Sequence, residues 1–422
     1  MKPGYKQTEV GVIPQDWEVV RLKGRVSIGH GYAFGSQYFA SHGLYRLTTP
    51  GHFYEAGGFR DIGEKQKYYV GPVPSDYILH PGDVIVAMTE QADGLLGSAA
   101  VIPHGHRYIH NQRLGRVKIL ASEIELGYLV NVFNSPAYRT KVRETAAGTK
   151  VKHTSPDKLL EISVRLPRPT EQRAIAEALS DVDALLGALD QLIAKKRDLK
   201  QAAMQQLLAG ETRLPGFPGE REVVRMSDLL AGPIQNGVFT EPLRKGRGCK
   251  LINVGDLYSK TPIDEQSLEM FDADAAEIAR FGAAYGDVFF TRSSLTPDGI
   301  AHCNIYAALE KEVTVFDCHI IRVRPNLNRV DPFFLFRYCT AYDARKYLIA
   351  NAKTTTMTTI DQAVVANLPI KLPSLTEQTA IADALSDMDA ELTVLRQRRE
   401  KTRALKQGMM HELLTGKTRL IS

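Results

Sequence analysis

The chain has 422 residues, of which 44% are hydrophobic and 24% charged, and its formal net charge is +5. This is too long for one ordinary domain, and too apolar and evenly charged for a disordered chain. The mild basic excess is compatible with a nucleic-acid partner without requiring one.

A first globular unit is expected over residues 1–168. The runs Gly82 to Met88 (GDVIVAM) and Gly115 to Leu120 (GRVKIL) read as strands between Gly, Pro and Asp turns, and a helical patch covers Leu126 to Asn134. A long helix follows over 169–211. A second globular unit, 212–374, repeats the outline with Gly286 to Arg292 (GDVFFTR), His319 to Pro325 (HIIRVRP) and a helical patch from Pro332 to Tyr338. A second long helix occupies 375–422.

The two helical segments are copies. Leu166 to Leu214 aligns with Leu372 to Leu420 without a gap at a constant offset of 206, and about three-fifths of the positions are identical. In each copy Leu-Pro closes a strand, Thr170 or Thr376 is the candidate N-cap, and Glu171 or Glu377 adds a favourable charge to the first turn. Apolar residues then alternate at four and three spacing: Ile175, Leu179, Val182, Leu186, Leu189 and Ile193 in one copy, and Ile381, Leu385, Met388, Leu392 and Leu395 in the other. That is a heptad seam. Gly210 and Gly416 stand where a C′ glycine would end each helix, about 40 residues or about 60 Å after its start. A seam of this length needs a partner helix, and the other copy is the obvious one.

The segment Thr8 to Leu22 also recurs, as Thr212 to Met226, and the chain reaches Thr418-Arg419-Leu420 where that segment would begin again. A duplication closed in this way implies neighbouring ends, an approximate twofold relation and antiparallel helices. The expected fold is therefore α+β, with two globular domains in pseudo-twofold arrangement joined by two long antiparallel coiled-coil helices.

Motifs for covalent chemistry are missing. Gly416-Lys417-Thr418 follows a helix and lacks the upstream glycine of a phosphate loop, and Gly29 to Gly35 has the wrong spacing and context for a dinucleotide fingerprint. The sequence has no HExxH, no GxSxG elbow and no Asp/Asn-Pro-Pro-Tyr/Phe run. The expectation is a chain that is not itself an enzyme and holds no catalytic residue and no metal. Cys249, Cys303, Cys318 and Cys339 lack paired CxxC spacing and read as reduced thiols. The first residues show no basic-then-apolar leader pattern and no apolar run approaches a membrane span. A cytoplasmic location is expected.

What remains is potential for contact. Side chains suited to base edges lie in the loops that differ between the units: Lys65, Lys67, Gln91, Asn111, Gln112 and Arg113 in the first, and Asn236, Lys250, Asn253, Arg292 and Lys353 in the second. The loops holding Lys150 and Lys152, and Lys353 and Thr354, correspond at the 206 offset and combine ammonium groups with small hydroxyl or glycine residues suited to phosphate.

The doubled signature Leu-Pro-x-x-Thr-Glu-Gln-x-x-Ile-Ala-x-x-Leu, each followed by a heptad helix and Leu-Leu-x-Gly, together with the opening from Tyr5 to Trp17, closely resembles the specificity subunit of Type I restriction-modification systems. The resemblance covers the whole chain. It implies that each globular unit is a target recognition domain reading one half of a bipartite site in double-stranded DNA. It further implies that the helices are spacers that help to dock two modification (methyltransferase) subunits. With those partners the assembly would methylate adenine N6, and restriction subunits would add an ATP-dependent translocase and nuclease. S-adenosylmethionine, ATP and Mg²⁺ would then belong to the partners. The competing readings are a stand-alone regulator with a bipartite operator and a scaffold with two protein-binding domains.

Overall fold

The computed structural model describes residues 3–90, 94–148, 151–259, 261–308 and 312–420. The chain forms two compact units. Met1–Asp190 with Arg398–Ser422 make the first, and Gln191–Gln397 make the second. Among the described residues no helix is long and apolar enough to cross a membrane.

The first unit is built on an antiparallel four-stranded sheet in the order Ala99–Val101, Val84–Ala87, Leu114–Ile119, Val26–His30. Val84–Ala87 is buried along its whole length, so it lies between two layers and has no polar alternation. One face carries the helices Leu126–Asn134 and Pro136–Thr145, with Trp17, Tyr128 and Phe133 in the core. The other packs on a smaller sheet of short strands, Phe39–Ala40, Tyr68–Tyr69, Tyr45–Leu47, Arg107–Ile109 and Ile78–Leu79, whose pair Tyr45–Leu47 and Arg107–Ile109 is parallel.

The second unit repeats this plan. Cys303–Ile305, Val288–Thr291, Ile320–Val323 and Gln235–Asn236 form its four-stranded sheet in the corresponding order. The helices Pro332–Thr340 and Tyr342–Ala350 cover one face, and Glu269–Phe271, Lys245–Ile252 and Thr314–Phe316 form the smaller sheet, again with one parallel pair. All four cysteines are free thiols, and burial pushes the Cys303 thiol up to about 12.

The long helices span Pro169–Ala209 and Leu375–Thr415. Thr170 and Thr376 therefore lie inside the first turn and are not caps. Pro169 opens the first helix, where its fixed φ suits the helix and its missing N–H costs nothing. The second is capped by Ser374, whose Oγ accepts the Glu377 N–H at 3.3 Å. Gly210 and Gly416 take positive φ, 76° and 72°, immediately past the two C-termini.

Within each unit the helices run antiparallel. In the first, Asp183 pairs with Lys406 at 2.6 Å and Asp190 with Arg399 at 3.0 Å. In the second, Lys196 pairs with Glu391 at 2.7 Å and Lys200 with Asp389 at 2.5 Å. Partner numbers fall as residue numbers rise, as antiparallel packing requires. All eleven seam residues are buried or half-buried, whereas Leu185 and Leu192, off the seam, are exposed. The seam also serves the globular cores. Ile175 and Leu179 join Met410, Leu413 and Leu414 in the core of the first unit, and Ile381 and Leu385 join Leu207 and Leu208 in the second.

The Glu-Gln pair of the repeated signature is the joint that fixes each helix to its unit. Gln172 accepts the Glu125 N–H at 2.9 Å and donates to the carbonyls of Glu123 and Pro167, both at 2.8 Å. Gln378 does the same with the Asp331 N–H and the carbonyls of Arg329 and Pro373. Every partner is displaced by 206. Buried Glu171 accepts from Trp17 Nε1 at 2.9 Å and from Arg419, and buried Glu377 accepts from Arg221 at 2.9 Å and from Arg213. Thus the end of each long helix returns to the start of the other.

Candidate nucleic-acid interface

At one end of each four-stranded sheet the chain makes a tight turn whose backbone is pinned on both sides. In the first unit Asn111 Oδ1 accepts the Arg113 N–H at 3.2 Å. Tyr32 donates its N–H to the His110 carbonyl at 2.8 Å and accepts the Gln112 N–H at 3.1 Å. Gly31 is required there, because a Cβ would collide with the Asn111 carbonyl. On the other flank the Met88 N–H reaches the Arg113 carbonyl at 3.2 Å, and the Thr154 N–H reaches the Met88 carbonyl at 2.9 Å.

The second unit builds the same turn from other residues. Asp317 Oδ1 accepts the His319 N–H at 2.7 Å, and Val238 donates to the Phe316 carbonyl at 2.8 Å. A Cβ on Gly237 would collide with that carbonyl. The Arg292 N–H reaches the His319 carbonyl at 2.9 Å, and the Ile360 N–H reaches Arg292 at 3.0 Å. A short strand pairing flanks each turn: Thr89–Glu90 pairs with Lys152–His153 in the first unit, and in the second Ser293–Ser294 pairs with Thr358–Thr359, which forms a hairpin with Lys353–Thr354.

The exposed side chains differ. Gln112 and Arg113 project in the first unit, with Tyr32 at 40% exposure beside them. In the second the positions hold Cys318 and His319, with Arg292 alongside and Phe239 at 70% exposure. Beneath the first turn His110 is buried, its Nε2 2.9 Å from the Leu114 carbonyl, and desolvation pushes its pKa down to about 4. Phe316 fills the corresponding place in the second unit. The His319 ring lies 2.9 Å from Asp317, and burial, then the Asp317 charge, raises the Cys318 thiol.

Of the residues singled out by sequence, Gln91 and Lys150 lie outside the described residues. Asn111, Gln112 and Arg113 come together on the first turn, and half-buried Lys152 lies in the short strand paired with Thr89–Glu90 beside it. Lys65 and Lys67 are exposed beside the smaller sheet, where Lys67 Nζ lies 5.8 Å from the Phe39 ring centroid. In the second unit Arg292 sits against the turn, 3.5 Å from the Cys318 carbonyl, and Asn236 precedes Gly237 and accepts from Gln362 at 3.2 Å. Lys353 and Thr354 are exposed on the hairpin, with Asp361 3.6 Å from Lys353. Lys250 and Asn253 belong to the smaller-sheet segment and already face carboxylates, Glu312 at 3.5 Å and Glu269 at 3.2 Å. Sequence reading passed over Tyr32, Phe239, Cys318 and His319. The 206 offset between Asn111-Gln112-Arg113 and Asp317-Cys318-His319 was the signal that could have found the last two.

The sequence matches the family described as Type I restriction modification DNA specificity domain over residues 14–195 and 284–402. It is 26% identical to the type I restriction enzyme MjaVIII specificity subunit of Methanocaldococcus jannaschii over 211 residues, a match that spans 50% of this chain and 49% of that one. Against the putative type I restriction enzyme MjaX specificity subunit of the same organism the identity is 24%, over 99% of this chain and 97% of the other. The fold resembles the crystal structure of a Type-I restriction-modification system S subunit from M. genitalium, with a TM-score of 0.56, 13% identity and coverage of 98% and 99%. Two units on one plan, paired long helices and a family match over most of the length lead to one conclusion: the chain belongs to the Type I restriction-modification DNA specificity family.

Proposed function

We propose that this chain is the specificity subunit of a Type I restriction-modification complex in which each unit reads one half of a bipartite, asymmetric site in double-stranded DNA. The helix pair sets the gap between the half-sites and docks two modification subunits. S-adenosylmethionine, ATP and Mg²⁺ are held by the modification and restriction subunits, and the assembly works in the cytoplasm. The carrying observation is that one framework recurs in both units, down to the bonds that pin the turns, while the residues projecting from it differ. Affinity for DNA comes mostly from phosphate contacts and sequence preference from base edges. A chain of charge +5 with many lysines facing carboxylates is suited to the second task and leaves much of the first to partners.

The test is co-expression of this chain with its modification subunit in a host free of DNA methylation, followed by genome-wide mapping of N6-methyladenine. A two-part motif with a fixed gap is expected. A one-part motif, or a chain that binds a two-part operator but never associates with a methyltransferase, overturns the proposal, and the latter result favours a stand-alone regulator.

A further inference from the structure

We infer that the two matched turns, 111–113 and 317–319, are the elements that set base identity, with Gln112 and Arg113 deciding part of one half-site and Cys318 and His319, helped by Arg292, deciding part of the other. This inference deepens the proposed bipartite reading and rests on it.

A reader of bases needs a rigid backbone and free side-chain ends. Each turn has both. An Asx contact closes it, a glycine-led strand lies on one side with no room for a Cβ, and a residue after the sheet's central strand, Met88 or Arg292, bonds it on the other. Gln112, Arg113 and His319 nevertheless point to solvent. Arg and Gln carry the two-pronged donor or donor and acceptor sets that match guanine and adenine edges, and His and Cys offer a different, single-pronged set.

The ligand atoms of Asp317, Cys318 and His319 lie within 4.8 Å of one another, as a metal site would require. The turn itself accounts for that closeness, since Asn111, Gln112 and Arg113 fold into the same shape without a metal-binding set.

The experiment uses the full chain assembled with its modification subunit, titrated against duplexes that carry every single-base change across the mapped motif. For the double substitution Gln112→Ala with Arg113→Ala, preference at one to three neighbouring base pairs of one half-site should fall by about tenfold or more, with the other half-site unchanged. Cys318→Ala with His319→Ala should give the mirror result. Arg113→Lys, which keeps the charge but loses the fork, should relax one position while overall affinity holds. Unchanged preferences in all three variants overturn the inference, as does a uniform loss at both half-sites. Misfolding of variants altered only at these surface positions also overturns it, because the turn would then be structural. If the parent yields a two-part motif that the variants keep, this inference alone falls; if the parent yields none, the proposed function falls with it.

Discussion

Arg419 grips Glu171 across 248 positions of sequence, with Nε to Oε1 at 2.5 Å and Nη2 to Oε2 at 2.8 Å. Glu171 is 3% exposed, and its second donor is the Trp17 indole. The hydrogen bonds that Arg419 donates to Glu171, then to Asp16, hold its guanidinium above the ordinary pKa. Removing the arginine leaves a buried carboxylate short of charge. Arg419→Ala should therefore destabilise the first unit by about 3 kcal/mol, whereas Arg213→Ala should cost the second unit less, because Arg221 stays paired with Glu377 at 2.9 Å. In the first unit Glu171→Gln combined with Arg419→Ala should recover part of the loss. Urea unfolding of these variants and of Glu171→Gln alone checks this, and additive effects of Arg419→Ala and Glu171→Gln in the double variant would contradict it.

The seam has a defined register, so neighbouring helix positions should respond differently. Leu392 is 3% exposed and Val394 is 61% exposed on the same helix. Leu392→Ala should cost about 2 to 4 kcal/mol, whereas Val394→Ala should stay within about 0.5 kcal/mol. Equal costs at the two positions in a denaturant titration would remove the seam.

Under the proposed function, helix length sets the gap between half-sites. Deleting Gly187 to Ile193 together with Arg396 to Thr402, the heptads centred on the paired residues Asp190 and Arg399, removes about 10 Å of rise. Methylation mapping should return both half-sites intact and a gap shorter by about three base pairs. Altered half-sites with the original gap would refute the prediction.

His110 makes the first unit sensitive to acid. A free imidazole titrates near 6.5, but burial holds this one at about 4, so the unfolded chain takes up the proton more readily between those values. The associated stability is fully present above pH 6.5 and declines as pH falls toward 4, by up to about 3 kcal/mol. Burial also lowers the pKa of His52, which acts in the same direction. His110→Phe, the residue type of the second unit at this place, should therefore reduce but not abolish the stability lost between pH 7 and pH 4.5. An identical pH profile in parent and variant, followed by circular dichroism during denaturation, would exclude this role.

The long helices were legible because a 206-residue repeat and a heptad pattern are both periodic signals. Their first residues were not, since a threonine in a first turn and a threonine at a cap look alike until Pro169 or Ser374 is seen in place. The larger-sheet strands and the helices Leu126–Asn134 and Pro332–Thr340 carried enough apolar residues to be read. Strands as short as Phe39–Ala40 and Tyr68–Tyr69 are held by their neighbours and have no period of their own. At the candidate interface Asn111, Gln112 and Arg113 stood out by type. His319 and Cys318 did not, because neither residue suggests base contact until their turn is seen beside its counterpart. The Glu-Gln pair stood out as a signature, yet its work in clamping each helix involves partners up to 248 positions away and could not be read from spacing.

Gly31 and Gly237 divide each reading loop into a part that cannot vary and a part that can. A larger side chain at the glycine is blocked by a carbonyl, while Gln112, Arg113 and His319 after the Asx residue are exposed and Cys318 is half-buried. If these turns read bases as inferred above, mutation can rewrite one half of the target a letter at a time while the other half keeps its meaning, so the number of addresses open to this protein grows as a product of two alphabets.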